Sequence, residues 1–136
     1  MAPEADILVV KAGNGSYPQT NIVDGLSYAN QKATALGLPL AVNISLGSDS
    51  GPHDGTDIKS QAIDAFCSSG RGRVVATSAG NEGDEDIHIS GSLDPGISTF
   101  IYVNVEEYTP EPDTYDDDFS FEVWFNDNGA ASIQVK

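Results

Sequence analysis

A single cysteine in 136 residues, Cys67, rules out an internal disulfide and leaves the redox compartment open. Basic residues are also scarce. Six lysines and arginines stand against 21 aspartates and glutamates, giving a formal net charge of −15 and an isoelectric point near 4.1. A surface that acidic repels phosphate backbones and anionic headgroups, so neither a nucleic-acid nor a membrane partner is expected. No apolar run approaches the roughly 18 residues of a membrane span. The opening Met1-Ala2-Pro3-Glu4-Ala5-Asp6 lacks the basic n-region of a signal peptide. Apolar residues are not scarce. They make up 39% of the chain, in organised runs that argue for a packed core rather than disorder. The length suits one domain or two small units.

The charge is unevenly placed. Residues 1–81 hold seven acids and five bases, a net of −2; residues 82–136 hold fourteen acids and one base, Lys136, a net of −13. The first part reads as alternating strands and helices. Ile7-Leu8-Val9-Val10 has the continuous β-branched run of a strand buried on both faces. Over residues 21–36, Ile22, Leu26, Ala29, Ala33 and Leu36 recur at helical spacing, with Gly37 as C-cap and Pro39 as stop. A second buried strand is expected over 40–46. Thr56 or Asp57 then caps a helix whose apolar face is Ile58, Ala62, Ile63 and Phe66, broken by Gly70-Arg71-Gly72. A third strand is expected over 74–79. This order predicts two right-handed crossovers and a parallel sheet with flanking helices. Chemistry gathers at the carboxyl ends of such strands, at residues 11–15, 45–47 and 78–83.

The second part predicts an antiparallel β segment of sandwich type. Residues 98–105 and 119–125 alternate apolar and polar side chains. Asn126-Asp127-Asn128-Gly129 signals a hairpin, and 131–135 returns as its partner. The intervening acidic run, 106–118, contains two prolines and is no core strand. The expected division is an α/β portion over 1–88 and a β portion over 89–136.

Two segments carry more than class. Asn43-Ile44-Ser45-Leu46-Gly47 and Ser78-Ala79-Gly80-Asn81-Glu82-Gly83, each ending an expected strand, resemble the subtilisin-like serine peptidases, the subtilases. The opening through Lys11 is similar to the stretch that follows the family's catalytic His helix, and the order of the three agrees. The segment Phe121-Glu122-Val123-Trp124-Phe125 resembles part of a β-sandwich inserted in some bacterial members. The resemblance implies that Asn81 aims its side-chain amide at the oxyanion of a tetrahedral intermediate. It implies that Ser45, Leu46 and Gly47 pair with substrate backbone, and that Ser78, Ala79 and Gly80 wall the first specificity pocket. It further implies an Asp in an Asp-Thr/Ser-Gly turn, a His in His-Gly-Thr and a Ser in Gly-Thr-Ser-Met-Ala. None stands in its family position, which falls before residue 1 for the first two and after residue 136 for the third. The expectation is therefore a piece of an endopeptidase, inactive alone, from a parent acting on peptides or proteins and usually exported. Self-association through exposed sheet edges is expected of it. The rival reading is a non-catalytic binding module with an acidic β domain.

Other candidates have plainer explanations. His53, beside Asp54, reads as a loop-ordering residue rather than a catalytic one, because sequence neighbours rarely form the needed hydrogen bond. His88 with Asp84 and Asp86 is too thin for a metal site, so no metal or other cofactor is expected. The acidic run lacks the spacing of a defined calcium loop; Ca²⁺ in the parent is the only candidate there. Cys67, next to Phe66, reads as a buried or half-buried thiol. Gly13-Asn14-Gly15 starts like a dinucleotide fingerprint, but Pro18 stands where its third glycine belongs.

Overall fold

A computed structural model describes residues 3–105, 107, 109 and 120–125. The chain divides into two compact units. One comprises Met1–Ala79 with Glu122–Lys136, the other Gly80–Phe121.

The first unit is an α/β structure. Helix α1, Gln19–Leu36, starts behind Pro18, whose carbonyl accepts from the amides of Asn21 (3.0 Å) and Ile22 (3.4 Å). Ile22, Leu26, Ala29 and Ala33 form its buried stripe at intervals of four, three and four. Its end is a Schellman closure: Gly37 takes φ 67°, its amide donates to Thr34 O, and the Leu38 amide donates to Ala33 O. Strand β1, Leu40–Ile44, follows directly. Helix α2, Ile58–Ser68, is capped by Asp57, whose Oδ1 accepts from the amides of Lys59 (3.0 Å) and Ser60 (3.1 Å) while Oδ2 takes the Ser60 hydroxyl. Those bonds, the Ser60 hydroxyl foremost, hold the Asp57 carboxyl below its ordinary value near 3.8. Strand β2, Arg73–Thr77, completes a parallel pair in the register Leu40↔Arg73, Val42↔Val75, Ile44↔Thr77.

The helices pack on each other, α1 against β1 and α2 against β2. Burial alternates along the strands as a consequence. Leu40, Val42, Ile44, Arg73 and Val75 are covered, whereas Ala41, Asn43, Val74 and Ala76 are exposed. Phe66 of α2 is the most deeply buried large side chain among the described residues, at 4% exposure. Arg73 joins the parts. Its guanidinium donates to Asn30 Oδ1 (2.8 Å), the Leu38 carbonyl (2.9 Å) and the Thr34 hydroxyl (3.1 Å). The fork thus lies against the C-terminal half of α1, where a cation also complements the helix dipole.

The second unit contains no helix or strand among its described residues. Two turns punctuate it, closed by the Glu85 amide on Glu82 O (3.2 Å) and the Ile97 amide on Asp94 O (3.0 Å). Pro95 and Gly96 occupy the centre of the latter, with Gly96 at φ 79°, the arrangement of a type II turn.

Several expectations are corrected. Ile7-Leu8-Val9-Val10 is not a strand: no described strand pairs with it, and all four residues are exposed. Val10 leans on α1, where a Cβ at Gly25 would come within 3.0 Å of Val10 Cγ1. Among the described residues there is one crossover, β1–α2–β2, rather than two, and β1 and β2 are covered on one face only. Leu36 and Ile58 are exposed, as is Cys67, which lies about 100° around α2 from Phe66. Residues 98–105 and 120–125 carry no strand. The hairpin at 126–129, its partner 131–135 and most of the acidic run lie outside the described residues.

Candidate functional site

Both strands of the parallel pair point their carboxyl ends the same way, and each runs straight into one of the singled-out segments. β1 ends at Ile44 and continues as Ser45-Leu46-Gly47; β2 ends at Thr77 and continues as Ser78-Ala79. The Ser78 amide still donates to Ile44 O at 3.3 Å, which extends the ladder by one bond beyond the strands. A Cβ built on Gly47 would lie 3.9 Å from Ser78 Oγ. Ser45–Gly47 and Ser78 are therefore neighbours in space across 30 residues of sequence. Ser45, Gly47, Ser78 and Ala79 are exposed and Leu46 is half-buried. Asn43 and Ser45, on one side of the strand end, bond reciprocally. The Asn43 amide donates to Ser45 Oγ (2.9 Å), and that hydroxyl stands 3.2 Å from Asn43 Oδ1.

Gly80 and Asn81 open the second unit. Gly80 adopts φ 85°, a backbone conformation that strains any residue with a side chain, and a Cβ there would displace the movable end of Glu82, whose Oε2 lies 2.9 Å away. The Asn81 backbone amide donates to that same carboxylate at 2.7 Å. Among the described residues the Asn81 side-chain amide has no hydrogen-bond partner, and the residue is exposed.

The loop between β1 and α2 is tied down from several points. Asp54 Oδ1 accepts from the Thr56 hydroxyl (2.6 Å) and amide (2.9 Å), and the hydroxyl foremost lowers the Asp54 carboxyl below its usual range. His53, at φ 54°, places Nε2 2.7 Å from the Asp49 carbonyl oxygen. A carbonyl only accepts, so Nε2 carries the hydrogen in this contact. Asp49-Ser50-Gly51 has the letters of the family's Asp turn but stands after Ser45–Gly47 instead of ahead of it. The His53 ring meets the Asp49 backbone, not a carboxylate, in that contact. A tie that sequence spacing could not reveal spans 71 residues: Glu122 Oε2 accepts from the Gly51 amide (3.0 Å) and from Trp124 Nε1 (3.3 Å). The Gly51 amide, then the indole, lower the Glu122 carboxyl below its ordinary value near 4.5. Neither this clip nor the Arg73 fork has a local sequence signature. Among the described residues no group of three or more His, Cys, Asp or Glu is placed to hold a metal ion.

With this geometry in place, the comparison with known families is specific. A model of the Subtilase family matches residues 1–118, reaching well past Gly83 into the acidic run. The chain belongs to the subtilase family of serine peptidases, whose substrates are peptides and proteins. No curated protein and no solved structure matches it.

Proposed function

We propose that this chain forms the substrate-pairing edge and the oxyanion-stabilising turn of a subtilisin-like serine endopeptidase. The nucleophile and its base come from sequence outside these 136 residues, so the chain alone hydrolyses no peptide bond. The observation that carries the proposal is the continuation of the β1–β2 ladder to Ser78 N and Ile44 O, which presents Ser45–Gly47 at the carboxyl end of a parallel sheet in a chain of this family. An exposed strand tail offers backbone N–H and C=O groups to an extended peptide; small residues at Ser78, Ala79 and Gly80 leave room for a side chain beside it. Asn81 is the donor to the oxyanion. Its amide is neutral, needs no protonation change and is not spent on a protein acceptor among the described residues. Such a donor strengthens its bond as charge develops on the carbonyl oxygen, lowering the barrier rather than tightening ground-state binding.

The isolated chain self-associates through unpaired backbone edges. In the intact parent, Asn81→Ala lowers kcat by about 10²–10³ with little change in KM, the size expected for loss of one oxyanion donor. Steady-state kinetics on a peptide substrate reads it. An unchanged kcat removes Asn81 from the mechanism.

A further inference from the structure

Residues 97–105 read Ile-Ser-Thr-Phe-Ile-Tyr-Val-Asn-Val, nine residues without charge, proline or glycine. The type II turn at Asp94–Ile97 marks the start, and Glu106-Glu107 follows the end. The large side chains lie open: Tyr102 is 92% exposed and Phe100 71%. Among the described residues no backbone group pairs with 98–105. The order of residue types is the same read in either direction. From each end inward it runs β-branched, small polar, β-branched, aromatic, with Ile101 at the centre.

We propose that this segment is a self-pairing site, in which two copies of the chain meet as antiparallel strands centred on Ile101. Inverted on itself, the segment sets Ile97 opposite Val105, Ser98 opposite Asn104, Thr99 opposite Val103 and Phe100 opposite Tyr102. Each is a favourable cross-strand class, β-branched on β-branched, polar on polar and aromatic on aromatic. Because strand side chains alternate, Ile97, Thr99, Ile101, Val103 and Val105 share one face, and Ser98, Phe100, Tyr102 and Asn104 share the other. A palindrome of residue types lets the segment match its own inverted copy at every position, which an arbitrary strand sequence does not.

Charge chooses the direction. In a parallel, in-register stack each acid of the 106–118 run would lie about 4.8 Å from its own copy, like on like along the whole run. In the antiparallel pair Glu106 falls opposite Gly96 and Glu107 opposite Pro95, both uncharged, and the two acidic runs leave from opposite ends. The run therefore bars the parallel stacking that builds fibrils while permitting a two-fold dimer.

Disulfide trapping separates the arrangements, using the full chain with Cys67→Ser and one new cysteine at a time. In a parallel, in-register stack every position faces itself, whereas in the antiparallel pair position 101 alone does. Positions 97 and 105 of two copies then lie about 27 Å from themselves but face each other, and a disulfide needs Cα atoms within about 7 Å. With diamide as oxidant, Ile101→Cys gives a covalent dimer faster than the exposed native Cys67 does in the unaltered chain. Ile97→Cys and Val105→Cys separately do not exceed that collisional rate, and an equimolar mixture of the two does. Self-crosslinking at all three positions establishes parallel stacking and overturns the proposal. Light scattering that shows the Cys67→Ser chain monomeric overturns it too. A dimer by scattering with no enhanced crosslinking at 101 places self-association elsewhere, such as the β1 edge, and equally overturns it.

Discussion

Two phenylalanines mark the contrast between the units of this chain. Phe66 in α2 is 4% exposed, and Phe100 in the second unit is 71% exposed. Both belong to apolar patterns that are plain in the sequence, Phe66 to the helical spacing of Ile58, Ala62 and Ile63, and Phe100 to the β-branched and aromatic run over 97–105. What differs is how far away the partners lie. A helix satisfies its backbone within itself, so α1 and α2 need only a face to pack on. A strand satisfies nothing until another strand arrives. The described part of the first unit has two strands joined by one crossover and so has built its ladder. The described part of the second unit has alternating residues and no ladder.

Substitution at those two positions is the sharpest way to break the contrast. Phe66→Ala should destabilise the chain by about 3–5 kcal/mol, by lost transfer energy and the cavity left behind. Phe100→Ala, measured at a dilution where the chain is monomeric, should stay within about 0.5 kcal/mol. Urea titration followed by far-ultraviolet circular dichroism reads both, since the helices lie in the first unit. Equal effects would mean that the second unit carries a core of its own.

Next in size is Arg73→Met. It removes a half-buried fork that serves Asn30, Leu38 and Thr34, at a cost of about 2–3 kcal/mol. Arg73→Lys should recover little of this, because a single ammonium cannot meet three acceptors in that planar spread. Full rescue by lysine would show that only the charge matters. The same urea titration distinguishes them.

The smallest effect is at the α2 cap. Asp57→Ala should cost about 1 kcal/mol at neutral pH. The Asp57 carboxyl is held below its ordinary value, so its contribution is complete above pH 3.8 and is lost as pH falls through the lower folded-state value. Wild type and variant should therefore converge in stability only in strong acid. A difference that persists there would assign the cap's effect to packing instead of the charged hydrogen bonds.

The sequence disclosed what is locally determined. Helix α1 was legible from the spacing of Ile22, Leu26, Ala29 and Ala33 and from Gly37, because its packing face and its cap are both written within 19 residues. The Asp57 cap was legible for the same reason. The strand ends that carry Ser45–Gly47 and Ser78 were also foreseen, since β-branched runs stopping at small residues fit few other structures. Ile7–Val10 misled because its residue types suit a buried strand, whereas its state depends on a neighbour that residue types do not supply. Cys67 misled by adjacency to Phe66, one position being enough to turn a helical residue out of the core. The Glu122–Gly51 bond and the Arg73 fork were illegible because their partners lie 35 to 71 residues apart. The site fared likewise. The strand tails were visible as motifs, but their proximity at Gly47 and Ser78 is a property of the ladder alone.

The chain leaves the first unit after Ala79 and returns to it at Glu122. The bond from Gly51 to Glu122 therefore closes a loop around the whole second unit. Closure entropy grows only with the logarithm of loop length, and doubling the number of residues between the two points would cost about 0.6 kcal/mol. The first unit is thus nearly indifferent to how much chain is hung between those points. Lengthening, shortening or exchanging residues 80–121 is a change that the α/β portion can absorb.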